Sequence, residues 1–174
     1  MLLSLALGAA LAAIVAMTGV AREAEAAFPG GNGKIAFESD RTTGKGVNNP
    51  TGDVEIFAMD VKGTNLKNLT NNSVYDGAPD WSPNGAKIAF TSNRNTNDDI
   101  YAMNADGSGQ TRLTRNATAE SFAVWSPNGR RIAFQSLRQG DYEIFTMKAS
   151  GESQIPLTNN SFADLAPDWQ PLVN

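Results

Sequence analysis

Beyond residue 33 the apolar residues come in short alternating runs between polar turns, and no stretch carries the 3.6-residue spacing of a helix. Lys87 to Ser92 sets Ile88 and Phe90 against smaller or polar neighbours, which predicts a strand. Ser82-Pro83-Asn84-Gly85 ahead of it is a tight turn, with Asn-Gly suited to positive φ. Ala78 to Trp81, Asp99 to Asn104 and Gln110 to Thr114 supply three more strands, the third-strand run being rich in β-branched and aromatic residues. Asn93 to Asp98 and Ala105 to Gly109 are the polar connections between them.

This pattern recurs. Leu69-Thr70, Leu113-Thr114 and Leu157-Thr158 fall 44 residues apart, as do Trp81, Trp125 and Trp169. Lys34-Ile35-Ala36-Phe37, Lys87-Ile88-Ala89-Phe90 and Arg131-Ile132-Ala133-Phe134 are one strand written three times. Four short antiparallel strands per period of this size predict an all-β fold of β-propeller blades, about three to the chain. The repeats run over 33–77, 78–121 and 122–171. The first holds strands two to four of a blade, and residues 166–169 supply a lone first strand at the other end.

The run P-x-W-S-P-N-G-x-x-I-A-F-x-S-x-R, then acid-Ile-aromatic-x-Met, then D-G and Leu-Thr, resembles the WD-like repeat of the TolB-type β-propellers over about residues 33–171. The resemblance implies a periplasmic or secreted propeller. It covers the propeller repeats alone, without the separate N-terminal α/β domain of TolB, and the family's propeller has six blades.

Residues 1–21 are almost wholly apolar and are followed by Ala24-Glu25-Ala26, an A-x-A pattern. This reads as a signal peptide over 1–26, with an uncleaved membrane anchor as the alternative, and no Lys or Arg precedes the apolar run. Histidine and cysteine are both absent. That removes disulfides, Ser-His-Asp and Cys-His chemistry and the commonest zinc ligands. A net charge of -4 with no Lys/Arg cluster argues against nucleic acid as a partner.

Trp81, Trp125 and Trp169 lie on first strands and are expected to pack between blades, with stacking of a ligand in a central channel as the other reading. Arg41, Arg94 and Arg138 each follow a second strand in a Ser-x-Arg pattern. Asp53 and Glu55, Asp99, and Asp141 and Glu143 stand at third-strand starts. Across one hairpin loop the two sets are expected to make a structural ion pair in every blade. Paired carboxylates are also the groups a glycosidase uses, but three near-copies point to structure. The Asn104–Gly109 stretch lacks the ligand pattern of a calcium loop and reads as a turn. The inserted loop Thr42–Gly52 and the connections Asn71–Gly77, Arg115–Ser121 and Asn159–Asp164 differ most between copies and fall on one face. They carry the candidate binding residues Tyr75, Asp76, Glu120 and Asp164, with Arg41 beside them.

The expected function is an exported, non-enzymatic propeller that binds a protein or cell-envelope component and needs no cofactor or metal. Membrane contact is expected only through an uncleaved N-terminal segment. The alternatives are a carboxylate-dependent hydrolase or lyase and a structural remnant of a longer propeller. A homodimer is expected to complete the ring: the Trp169 strand of each chain pairs with Ile35 to Phe37 of the other, giving six blades about a two-fold axis.

Overall fold

The computed structural model describes residues 33–171, and among these there is strand and turn but no helix. The expected signal segment, 1–26, lies outside the described residues. Three antiparallel sheets follow one another in chain order. Blade one is β1 (Lys34–Ser39), β2 (Glu55–Asp60) and β3 (Lys67–Asn68). Blade two is β4 (Asp76–Trp81), β5 (Lys87–Ser92), β6 (Asp99–Asn104) and β7 (Thr111–Arg112). Blade three is β8 (Glu120–Trp125), β9 (Arg131–Ser136), β10 (Glu143–Lys148) and β11 (Ile155–Pro156). The first strands of blades two and three thus begin two residues ahead of the repeat boundaries read from sequence.

The alternation of side chains sends successive residues of one strand into two different cores. Ile88, Phe90, Tyr101 and Met103 pack with Ile56, Ala58 and Leu69 in the seam between blades one and two. Ala89, Ile100 and Ala102, their immediate neighbours in sequence, pack with Leu113, Trp125, Ile132, Phe134, Phe145 and Met147 in the seam between blades two and three. A sheet with two apolar faces needs a neighbour on each side, which is why the repeat stacks. Trp125 is buried in the second seam, and Trp81 packs half-buried against the first, so both tryptophans sit between blades as expected.

Two features fix how the blades meet. Gly107 and Gly151 adopt φ of +89°, and a Cβ on either would stand 2.6 Å from the Leu69 carbonyl oxygen or 2.8 Å from that of Leu113. The D-G and S-G turns therefore press backbone against backbone of the preceding blade, an approach only glycine permits. Each first strand carries a bulge, between Gly77 and Asp80 in β4 and between Ser121 and Val124 in β8. At its centre Ala78 and Phe122 take φ of 49° and 54°.

The lone first strand expected at 166–169 is not paired in a sheet. The segment nevertheless repeats the bulge conformation, with Ala166 at φ 50°. Its N–H donates to Gln135 Oε1 at 3.0 Å, and the Trp169 indole donates to the Val124 carbonyl at 3.1 Å. It follows the path of a first strand with no second strand to bond it.

Candidate functional site

The connections between blades and the loops after each second strand gather on one face, as the repeat pattern required. The centre of that face in each complete blade is an arginine. Arg94 donates through Nη2 to both oxygens of Asp76 at 2.9 and 2.8 Å. It donates through Nη1 to Gln110 Oε1 at 2.7 Å, and the Gln110 amide reaches the Leu69 carbonyl of the preceding blade at 3.1 Å. Blade three repeats the relay with Arg138, Glu120, Gln154 and the Leu113 carbonyl. Each guanidinium also lies over an aromatic pair, Phe90 and Tyr101 or Phe134 and Phe145, at 4.7 to 5.6 Å from the ring centroids.

This corrects the pairing expected from sequence. The arginines take their acids from the first strand, Asp76 and Glu120, and not from the third. The cross-strand register explains it. Asp76 stands opposite Ser92 and Glu120 opposite Ser136, so an arginine two residues past the serine folds back onto the acid. Asp76 and Glu120, expected as binding residues, are fully buried in these bonds.

The third-strand acids serve the blade internally. Glu55 accepts from the Thr70 hydroxyl and the Asn72 N–H, and Glu143 accepts from the Thr158 hydroxyl and the Asn160 N–H. Each threonine hydroxyl in turn accepts from the backbone of the third strand, at 2.9 Å from Ile56 N and from Ile144 N. Asp99, one methylene shorter, lies 3.4 Å from the Thr114 hydroxyl and pairs instead with Arg112 at 2.7 Å. Burial pushes the Glu55 and Asp99 carboxyls above the usual range, outweighing the Thr70 bond in one and the Arg112 bond in the other.

Blade one breaks the series. Arg41 lies over Phe37 and Phe57 and bonds Ser39 Oγ at 3.0 Å, yet among the described residues no acid pairs with it. Leu66 occupies the position of Gln110 and Gln154. The inserted loop is tied down: Asn49 is buried and donates to the Asp53 carbonyl at 2.6 Å, while Asn68 donates to the Asn48 carbonyl at 2.8 Å. Tyr75 bridges blades one and two. Its hydroxyl meets Glu38 Oε2 at 3.3 Å, and burial, with the charge of Glu38, pushes it up to about 12. The Ala78 N–H donates to the same Glu38 oxygen at 2.7 Å.

The residue that sequence reasoning missed is Phe122. It sits in the bulge of β8 in a left-handed conformation rare for a bulky side chain, half exposed, where the equivalent positions hold Ala78 and Ala166. The residue types that announce such a conformation, Gly and Asn, are absent here. Near it, Asp80 accepts from the Trp125 N–H at 2.6 Å, and burial pushes its carboxyl up, with Asp168 adding to the effect. On the opposite face a shallow cavity of about 360 Å³ lies between blades two and three, lined by residues including Ser82, Asn84, Lys87 and Gly129. Among the described residues no group of acids is gathered closely enough to hold a metal ion.

The model of the TolB beta propeller domain matches residues 5–173. Among solved structures, an Agrobacterium tumefaciens protein assigned as TolB is 29% identical with a TM-score of 0.65, covering 69% of this chain and 43% of its own. TolB from Acinetobacter baumannii is 22% identical with a TM-score of 0.62, covering 76% of this chain and 32% of its own. The tricorn protease shares the fold alone, at 15% identity and a TM-score of 0.54 over 78% of this chain and 12% of its own. No curated protein sequence matches. The chain thus spans less than half the length of the solved TolB proteins it resembles, and it belongs to the TolB beta propeller domain family.

Proposed function

As a member of the TolB beta propeller domain family this chain acts, we propose, as an exported binding module that recognises a protein or cell-envelope component through its loop face, without enzymatic chemistry. The observation that carries this reading is the state of the acids at the arginines and at the third-strand starts. Glu55, Asp76, Asp99, Glu120 and Glu143 are all fully buried and all bonded within or beside their own blade. An acid–base pair needs a carboxylate that can reach a substrate proton, and these cannot. What the loop face and the adjoining first strands leave exposed is of a different kind: Phe122 on its strained bulge and Phe162, with Tyr75 half-buried beside them. Aromatic side chains are the usual anchors of protein contacts. The A-x-A pattern and apolar start support export to the periplasm or beyond.

A photo-crosslinking residue placed at Phe122 or Tyr75 of the full chain in its host tests this. The expected result is one discrete adduct from these positions and none from Lys148 at the opposite end of its blade. Equal labelling from Lys148, or no adduct from the loop face, overturns it.

A further inference from the structure

The two ends of the blade stack are complements of each other. Leu69 and Leu113 are 6% and 8% exposed beneath the following blade, but Leu157, the third copy, is 56% exposed. Ile88 and Ile132 are fully buried beside their first strands, but Ile35 on β1 is 43% exposed. Nothing stands within 4 Å of a Cβ built on Gly63, where Gly107 and Gly151 press on the preceding leucine carbonyl. Among the described residues, blade one thus presents the surface that blade three is missing, and lacks the strand that follows blade three.

The charges match as well. Asp164 is the third member of the series Asp76, Glu120, Asp164, each 44 residues from the last. Its N–H donates to the Tyr142 carbonyl at 2.7 Å, as Asp76 does to Val54 at 2.8 Å and Glu120 to Asp98 at 2.9 Å. Its carboxylate accepts from Asn160 at 2.8 Å, as Glu120 accepts from Asn116 at 2.9 Å. Asp164 is therefore held where the acid of the next blade belongs, and among the described residues no arginine reaches it. Arg41 is an arginine of the same series with no acid among the described residues.

We propose that two copies of this chain close head to tail, the segment 164–171 of each adding as the missing first strand to β1 of the other and Asp164 of each pairing with Arg41 of the other. The registers of β4 on β5 and β8 on β9 fix the alignment. Transferred to the new pair, they set Asp164 opposite Ser39, Leu165 opposite Glu38, Asp168 opposite Ala36 and Trp169 opposite Ile35. Leu66, in place of the relay glutamine, meets Leu157 of the other copy, an apolar contact where the inner seams have a polar one. Two sets of three blades make six, within the range in which propellers close. An interface that is head-to-tail between blades becomes a closed two-fold ring, so no apolar face is left over.

The closure holds whatever the loop face binds. Light scattering of the full chain, as its host processes it, is expected to give a dimer at micromolar concentration. Arg41→Asp or Asp164→Arg alone should weaken dimerisation at least tenfold, and the two together should restore it to within about threefold. The chain has no cysteine, so A36C/D168C reports the register directly: under oxidation it should run as a covalent dimer. A folded monomer, an intrachain bond in the double-cysteine variant, a ladder of larger species, or charge reversals without mutual rescue each overturn the proposal. The first means that other blades or none cover these faces, the second that one chain closes on itself, and the third an open array.

Discussion

Blades one and two are written with the same strands and differ in what surrounds them. In blade two, Ile88 and Phe90 are sealed against blade one, while Ala89 and Ile100 are sealed against blade three. In blade one the equivalent Ile35 is exposed, Phe37 is half-buried, and Arg41 lacks the acid that Arg94 holds. The repeat therefore specifies a surface, and its neighbours decide whether that surface becomes a core. Stability in such a stack resides mostly in the seams.

The largest test of this contrast is a pair of truncations. Phe134→Ala, in the seam between blades two and three, is expected to cost about 3–5 kcal/mol, and Phe37→Ala on the open blade less than half of that. Urea unfolding of both variants, below any concentration at which chains associate, makes the comparison. Equal costs would mean that blade one is covered in the monomer after all. A smaller contrast lies in the arginines. Arg138→Ala leaves Glu120 buried without its guanidinium and should cost about 3 kcal/mol, whereas Arg41→Ala in the monomer should cost under about 1 kcal/mol. Thermal melting at equal dilution distinguishes them.

The smallest effect is one of pH. Burial holds the Glu55, Asp80, Asp98 and Asp99 carboxyls above their usual range. A carboxyl raised on folding binds its proton more tightly in the native state. Its contribution to stability is full below the unfolded value and lost as pH rises through the folded one. Melting temperature should therefore climb as pH falls from neutrality toward the ordinary carboxylate range, and Asp99→Asn should flatten part of that climb. A melting temperature that falls steadily over the same window would overturn this.

The 44-residue period was enough to place Lys87–Ser92 and Asp99–Asn104 as strands with the bounds they have, because turn chemistry punctuates every copy. It also placed Trp81 and Trp125 between blades. The partner of each arginine was not legible. An acid five residues on, across a hairpin loop, looks nearer than one 18 residues back, and only the register of β4 on β5 brings Asp76 to Arg94. Two of the five candidate binding residues were lost to that pairing. The bulge at Phe122 was equally hidden, since the residues holding left-handed backbone there are Ala78, Phe122 and Ala166.

The glycines that press on Leu69 and Leu113 carry a last consequence, which is arithmetical. A ring of n wedges closes only if each turns by one nth of a circle, so the number of blades is an angle before it is a count. At Gly107 and Gly151 that angle is set where one blade's turn rests on the preceding blade's carbonyl with no side chain between. A single methyl group there would act as a shim, splaying the blades on that side and changing the curvature of the whole arc.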